Sequence, residues 1–199
     1  MSFDTVTEFE NKLAKYFGSP FCVTTDCATH AIELCLRCKK INETDCPTHT
    51  YLSVPMTLQR LGINWQFNNN KWKDLYKFTN SNIYDAAVFW TPGGYIKGSM
   101  MCLSFQFKKT LSLGRGGAIL LDNEEEADQL RRMTYDGRHR NELWTKQLHS
   151  ISQLGYHYYM TPEIAQQGLE KLSTVEKNKD WSWRDYPDIS QAPVFKNKK

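Results

Sequence analysis

Residues 104–117 read Ser-Phe-Gln-Phe-Lys-Lys-Thr-Leu-Ser-Leu-Gly-Arg-Gly-Gly, and this stretch carries most of the information about the fold. An apolar run ends at Phe105, two lysines follow in a polar turn, and a glycine-rich segment leads into a second apolar run at 118–121. Two interpretations are open from these residues alone. The backbone N–H groups of a glycine-rich loop can bind phosphate, or the segment can be a plain turn between strands. The Gly-x-x-x-x-Gly-Lys-Ser/Thr pattern of nucleotide hydrolases is absent.

Strands and helices alternate on both sides of this stretch. Apolar runs of strand length occur at residues 21–25, 63–67, 83–84, 86–89, 100–105 and 118–121. Helical periodicity occurs at residues 4–17, 29–39, 52–61, 124–133 and from Pro162 onward. This alternation predicts an α/β domain with a mainly parallel sheet, in which ligands bind beyond the carboxyl ends of the strands. The turn at 26–29, Asp85 and the loop at 104–117 fall at such ends.

The composition is that of an ordinary soluble globular protein. Of its 199 residues, 40% are hydrophobic and 24% are charged, and the net charge is +3. This charge is too small to predict a nucleic-acid partner. The N-terminal residues do not resemble a signal peptide, which would predict secretion. The sequence also lacks a run of ~20 apolar residues, which would predict a membrane span. We therefore expect a cytoplasmic protein. Helical and strand patterns end before Asn178, so we expect one domain over residues 1–177 and an irregular C-terminal tail over residues 178–199.

The six cysteines allow two interpretations. Cys35 and Cys38 have the spacing of a metal-binding knuckle, and Cys46 and His49 follow not far behind. Alternatively, the run from Ala31 to Cys38 is a helix in which the cysteines are small core or surface residues. No second Cys-x-x-Cys or His-x-x-x-His motif completes a tetrahedral set. The sequence therefore predicts reduced cysteines and no metal site.

The stretch at 104–117 also carries a family resemblance. Its pattern, Ser-Phe-x-x-x-Lys followed by x-Leu-x-x-Gly-x-Gly-Gly, resembles the lysine segment of the DegT/DnrJ/EryC1/StrS sugar aminotransferases, which use pyridoxal 5'-phosphate and have fold type I. The resemblance implies that Lys109, and not Lys108, is the Schiff-base lysine. An amine must bond to the cofactor aldehyde and then carry a proton, and lysine suits both tasks because its amine loses its charge readily when partly desolvated.

Asp85 is the second residue that the resemblance implicates. It lies in Asn82-Ile83-Tyr84-Asp85-Ala86-Ala87, which is similar to the Asp-Ala-Ala segment that precedes the lysine in the family. The family's aspartate pairs with the protonated pyridine nitrogen and so maintains the ring as an electron sink. A polar residue usually follows in the family, whereas Val88 stands here. A carboxylate after a strand can also be a simple helix cap.

Residues 27–32, Cys-Ala-Thr-His-Ala-Ile, resemble the family's Ser-Gly-Thr-x-Ala-Leu turn. That turn binds the cofactor phosphate at a helix N-terminus, where unpaired N–H groups and the helix dipole favour an anion. The resemblance implies phosphate contacts from Ala28, Thr29 and Ser104. Ala28 replaces a glycine, which would be strained if its φ were positive.

Two aromatic segments complete the resemblance. Thr50-Tyr51 is similar to a Thr-aromatic pair, so Tyr51 either stacks on the pyridine face or belongs to the core. Residues 155–160, Gly-Tyr-His-Tyr-Tyr-Met, resemble Gly-Tyr-Asn-Tyr-Arg-Met. The family's asparagine reaches across a homodimer to the partner's cofactor phosphate, and His157 occupies its position, while Tyr159 replaces the arginine. A two-fold dimer is the commonest arrangement of such shared sites.

The resemblance implies a three-layer α/β sandwich, the large domain of fold type I, with the small C-terminal domain largely missing. It also implies a function: transfer of an amino group from an amino acid, glutamate being the usual donor, to the keto group of a nucleotide-linked sugar. The alternative is a degenerate member that binds cofactor or a partner and catalyses no reaction. A dehydrating branch of the family carries histidine in place of the lysine, and Lys109 argues against that branch.

Overall fold

The computed structural model describes residues 2–177 and 179–196. Six helices are described: α1 (Phe3–Phe17), α2 (Ala28–Cys38), α3 (Ser53–Arg60), α4 (Glu124–Thr134), α5 (Trp144–Gln147) and α6 (Pro162–Leu172). Seven strands are described: β1 (Phe21–Thr25), β2 (Glu43–Pro47), β3 (Asn64–Asn68), β4 (Tyr76–Lys77), β5 (Ile83–Asp85), β6 (Met100–Ser104) and β7 (Gly117–Leu121). Among the described residues, no helix combines the length and apolar character that a membrane crossing requires.

Helix α1 shows how local sequence sets these elements. It begins after Ser2, whose hydroxyl accepts a hydrogen bond from the N–H of Asp4 at 3.3 Å. It ends at Gly18, which adopts the left-handed conformation with φ of 76°. Its apolar stripe is fully buried and consists of Val6, Phe9, Leu13 and Phe17. The helix predicted over residues 4–17 is therefore confirmed.

The main sheet has five strands in the order β1-β7-β6-β5-β4. Strands β1, β5 and β6 run in one direction, but only β5 and β6 pair in parallel, while the other three pairings are antiparallel. The predicted α/β class is confirmed. The sheet was predicted to be mainly parallel, whereas the observed sheet is mixed. The connection from β4 to β5, residues 78–82, is short enough to allow antiparallel neighbours only. Strand β7 follows the long loop 105–116 and returns between β6 and β1, antiparallel to both. Strands β2 and β3 form a separate parallel pair.

The sheet has a hydrophobic layer on each face. Alternate side chains of the central strands point to opposite sides, as strand geometry requires. Val23, Cys102 and Ile119 pack on the face covered by α2 and α4. Cys22, Met101 and Leu120 pack on the face covered by α1 and α6. The three-layer sandwich is thus confirmed.

Residues 179–196 form three short 3-10 helices: Trp183–Asp185, Ile189–Gln191 and Pro193–Phe195. Phe195 is buried and packs its ring edge-on against Trp65 and Phe67. The N–H of Ile189 donates to the carbonyl of Thr48 at 2.9 Å. This segment, called the C-terminal segment below, is therefore docked on the domain. The predicted boundary at residue 178 lies outside the described residues.

Candidate functional site

A cavity of about 890 Å³ opens where β1, β5 and β6 end. These three strands run in the same direction, so their carboxyl ends meet at one edge of the sheet. Six of the seven residues singled out in the sequence line the cavity: Ala28, Thr29, Tyr51, Asp85, Ser104 and Lys109. His157 does not line it.

Lys109 lies in the loop that follows β6. Its side chain is half-buried, whereas the neighbouring Lys108 is exposed. The Lys109 Nζ donates to the Tyr186 hydroxyl at 3.4 Å, and it lies 5.6 Å from the ring centre of Trp181. Burial lowers the pKa of the Lys109 amine, and the carboxylate of Asp85 opposes that fall. Lys109 is therefore the lysine whose amine loses its proton more readily than a solvated one.

Asp85 is the last residue of β5 and is 7% exposed. Its Oδ2 accepts a hydrogen bond from the Tyr76 hydroxyl at 2.7 Å, and its Oδ1 accepts from the N–H of Ala87 at 3.0 Å. Burial raises the pKa of this carboxyl group, while the two hydrogen bonds and the charge of Lys109 lower it. The hydroxyl of Thr50 lies 2.7 Å from the Tyr76 hydroxyl and extends this polar chain.

The turn between β1 and α2 leads directly into the helix N-terminus. Cys27 is the N-cap, and its side chain makes no capping hydrogen bond, so the first N–H groups of α2 face the cavity without a side-chain cap. Ala28 does not have a positive φ, so the loss of glycine causes no backbone strain here. Gly117 packs so closely on this turn that a Cβ on it would lie 2.6 Å from the Ala28 nitrogen. The Thr29 hydroxyl lies 2.8 Å from that of Ser53.

Three charged side chains surround the same turn, and the sequence had not singled them out. The Asp26 Oδ1 lies 2.6 Å from the His30 Nδ1, and its Oδ2 accepts from the Arg115 Nη2 at 2.7 Å. Burial on its own lowers the pKa of His30, but the hydrogen bonds and charges of Asp26 and Cys27 outweigh burial and raise it to about 9. The His30 ring also stacks on Tyr158 with centroids 3.6 Å apart. Two cations therefore stand beside the helix N-terminus at neutral pH.

Within residues 2–177 and 179–196, Asp26, Cys27 and His30 form the one group of potential metal ligands close enough together to hold an ion. Both oxygens of Asp26 already contact cationic partners, which makes this carboxylate a poor ligand. The Cys35 and Cys38 pair lies in α2, as the helix interpretation predicted, and the two thiols face Cys102 and Gln129 respectively.

Tyr51 and His157 are the most exposed of the predicted residues. Tyr51 is 64% exposed at the edge of the cavity. The His157 side chain is 68% exposed, and its Nδ1 lies 3.3 Å from the Asp136 carboxylate. A role for His157 in a partner's site requires such exposure and stays a prediction.

The C-terminal segment supplies one wall of the cavity through Trp181, Asp185 and Tyr186. Burial raises the pKa of the Tyr186 hydroxyl, and the charges of Asp85 and Asp185 raise it further. The indole N–H of Trp72, another wall residue, donates to the His49 carbonyl at 2.7 Å. The sequence had given this segment no role, because its aromatic residues follow no periodic pattern.

Comparison with known proteins places these features in a family. The sequence profile of the DegT/DnrJ/EryC1/StrS aminotransferase family matches residues 1–76 and 94–182. A search of curated protein sequences finds no significant match.

Several solved structures share the fold. AtS13 from Actinomadura melliaura is 20% identical, with a TM-score of 0.74 over 87% of this chain and 60% of that chain. DesI, solved in the presence of its TDP-sugar product, is 20% identical, with a TM-score of 0.67 over 85% and 53%. The PLP form of a putative sugar aminotransferase, Spr1654 from Streptococcus pneumoniae, is 17% identical, with a TM-score of 0.69 over 86% and 59%.

The chain therefore spans less than two thirds of each of these structures. The matched profile covers the turn at residues 26–29 and the lysine loop, which line the cavity, and it does not cover Asp85 or Tyr186. On this evidence, the chain belongs to the DegT/DnrJ/EryC1/StrS aminotransferase family.

Proposed function

We propose that this protein is a pyridoxal 5'-phosphate-dependent aminotransferase that moves an amino group from an amino acid to a keto sugar linked to a nucleotide. Glutamate is the expected donor. The observation that carries the proposal is the placement of Lys109 and Asp85 on one cavity: burial lowers the pKa of the amine, and the carboxylate is buried. A relative solved with a TDP-sugar product supports the substrate class.

The residues around the cavity fit the cofactor at three of its polar groups, the aldehyde, the ring nitrogen and the phosphate. Lys109 would bond to the aldehyde, and Asp85 would hold the proton on the ring nitrogen. Thr29, Ser104 and the first N–H groups of α2, including that of Ala28, would bind the phosphate. A cavity of about 890 Å³ lies within the usual size range of cofactor sites. When bound, the cofactor supplies a protonated ring that accepts electron density from the amino-bearing carbon.

Asp85 has to remain ionised to hold that ring proton, although burial favours its neutral form. The Tyr76 hydroxyl and the N–H of Ala87 both donate to it, and such hydrogen bonds stabilise a carboxylate. Lys109 has the opposite requirement, because a neutral amine is needed to accept a proton from the substrate. Burial provides that by disfavouring the ammonium form.

His30 and Arg115 add charge to the phosphate end of the cavity. In the family pattern a serine and a glycine precede the threonine of this turn, whereas Cys27 and Ala28 stand here. A thiol is a weaker hydrogen-bond donor than a hydroxyl. We propose that the two cations compensate for this loss, because charge-assisted hydrogen bonds to phosphate are stronger than neutral ones.

Tyr51 and His157 complete the proposal. The exposed ring of Tyr51 at the edge of the cavity is available to stack on the cofactor ring. The exposed His157 would reach the cofactor phosphate of a second copy in a two-fold homodimer. Light scattering of the cofactor-loaded protein tests the dimer, and a loaded monomer contradicts it.

Mapping of the lysine tests the cofactor site. Pyridoxal phosphate is added, the protein is reduced with borohydride, and the labelled peptide is identified by mass. We expect label on Lys109 and none in Lys109→Ala. Lys108→Ala is the matched control, because it removes the neighbouring exposed amine and should leave labelling unchanged. Label that follows Lys108, or no label, contradicts the proposed site.

Donor reactivity separates an enzyme from a binding protein. Loaded wild-type protein is mixed with glutamate, and conversion of the cofactor to pyridoxamine phosphate is followed by absorbance. We expect conversion faster than that of free cofactor under the same conditions. If Lys109 is labelled but neither glutamate nor an amino sugar linked to a nucleotide is converted faster than by free cofactor, the non-catalytic alternative is correct.

A further inference from the structure

Tyr186 is the residue whose position the proposed function does not explain. Its hydroxyl lies 3.4 Å from the Lys109 Nζ, within the cavity wall formed by the C-terminal segment. The match to the family profile ends at residue 182, so Tyr186 lies beyond it. A polar contact with the reacting amine thus comes from a part of the chain that the profile does not cover.

The backbone around Tyr186 is fixed to the domain on both sides. Its carbonyl lies 2.7 Å from the His49 Nδ1, and the N–H of Trp183 donates to the carbonyl of Trp72 at 3.1 Å. His49 directly precedes Thr50 and Tyr51, so the same loop that forms one side of the cavity also holds the C-terminal segment. The Tyr186 ring packs against Trp72 with centroids 5.4 Å apart. The phenol is therefore held in a defined orientation.

A phenol suits a lysine that must exist in two protonation states. A neutral phenol accepts a hydrogen bond from an ammonium group and donates one to a neutral amine. Burial raises the pKa of Tyr186, and the charges of Asp85 and Asp185 act in the same direction, so the phenol stays protonated while Lys109 titrates. Asp85, by contrast, carries a negative charge and interacts favourably only with the ammonium form of Lys109.

We propose that Tyr186 is a positioning residue that orients the Lys109 amine in both of its protonation states. The inference rests on the proposed role of Lys109. It gives the C-terminal segment a part in the chemistry of the site in addition to enclosing it. The competing explanation is that Tyr186 only fills space, since its ring contacts Trp72 and Trp181.

Tyr186→Phe separates the two explanations, because it removes the hydroxyl and keeps the ring. Tyr95→Phe is the matched control, because it removes the hydroxyl of a half-buried tyrosine that does not line the cavity. That hydroxyl donates to the Ser99 carbonyl at 2.9 Å. The measurement is the pH profile of Lys109 modification by trinitrobenzenesulfonate in cofactor-free protein, with the modified peptide quantified by mass. This reagent requires no cofactor and reports the neutral amine directly.

We expect Tyr186→Phe to move the midpoint of the Lys109 profile down by about half a pH unit, because the charge-assisted hydrogen bond that the ammonium loses is stronger than the neutral one that the amine loses. Tyr95→Phe should leave the midpoint unchanged. A space-filling role changes access and hence rate without moving the midpoint, so an unchanged midpoint in Tyr186→Phe overturns the proposal. If pyridoxal phosphate never labels Lys109, the proposed function fails, while this profile still decides the role of Tyr186.

Discussion

The ion pair between His30 and Asp26 makes the stability of the protein depend on pH in a specific way. The pKa of His30 rises from 6.5 to about 9, which corresponds to about 3.4 kcal/mol at 1.36 kcal/mol per pKa unit. The two side chains are 18% and 22% exposed, and solvent screening reduces this figure to about 1–2 kcal/mol. Because the folded protein holds the proton more tightly, the contribution is fully present below pH 6.5 and is lost as the pH rises through about 9.

His30→Gln removes the titrating group and keeps a hydrogen-bonding side chain. We expect its cost in the free energy of unfolding to be about 1–2 kcal/mol larger at pH 6 than at pH 10, where the loss of the ring stacked on Tyr158 remains. The measurement is urea unfolding of cofactor-free wild type and variant at both values. Other groups titrate between them, but they are common to both proteins, so the difference isolates His30.

His149→Gln is the matched control, because His149 is an exposed histidine of the same chain. Its effect on stability should be small and similar at both pH values. A nuclear magnetic resonance titration of the His30 ring measures the pKa directly. A midpoint below 7, or an equal loss of stability at pH 6 and pH 10, refutes the reasoning.

Three further substitutions test other parts of the site. Asp85→Asn should leave the fold intact and abolish glutamate-driven conversion of the cofactor, since a neutral pyridine is a poor electron sink; unchanged conversion by absorbance rules this role out. Gly117→Ala should displace the turn at Ala28, lower the free energy of unfolding by about 1–3 kcal/mol and weaken pyridoxal phosphate binding about tenfold. Thermal unfolding and cofactor titration measure the two effects, and an unchanged stability and affinity contradict the close packing. Glu10→Gln should cost about 3–5 kcal/mol in urea unfolding, because it leaves the buried Arg140 without its carboxylate 3.0 Å away; a loss below about 1 kcal/mol argues against a buried ion pair.

The sequence predicted the fold well where one element buries one apolar face. The stripe of α1 and the short apolar runs of β1, β6 and β7 are local patterns, and burial of those patterns determines the element. Asp85 and Lys109 were recognisable from the family resemblance of their segments. The fold agrees with that prediction, because Asp85 ends β5 and Lys109 follows β6, two neighbouring strands that run in the same direction.

Other elements could not be predicted, because partners distant in sequence determine them. Strand β4 has two residues, too few for any periodic pattern, yet it carries Tyr76 to the carboxylate of Asp85. Residues 86–89, predicted as a strand, form a turn in which the N–H of Ala87 bonds to that carboxylate instead of to a neighbouring strand. Tyr186 reaches the cavity through 3-10 helices and backbone hydrogen bonds that depend on tertiary contacts.

The ion pairs that Asp26 makes with His30 and Arg115 could have been predicted in part from the sequence. Asp26 and His30 are four residues apart at the start of a predicted helix, a spacing that brings side chains together. Arg115 lies within the decisive stretch at 104–117, but its contact with Asp26 depends on the pairing of β1 with β7. Local sequence thus indicates the contact between Asp26 and His30, whereas the contact of Arg115 depends on the sheet.

The order of strands explains how the site orders its charges. Strands β1 and β5 are separated by β7 and β6, which at ~4.8 Å per strand puts their ends roughly 14 Å apart. The cations beside α2 follow β1, the carboxylate of Asp85 ends β5, and Lys109 follows β6, the neighbour of β5. The cofactor carries its anionic phosphate and its protonated ring nitrogen on different sides of one ring. Under the proposed function, a positive group at one end of the cavity and a buried carboxylate at the other would favour a single orientation of that ring, with Lys109 between them.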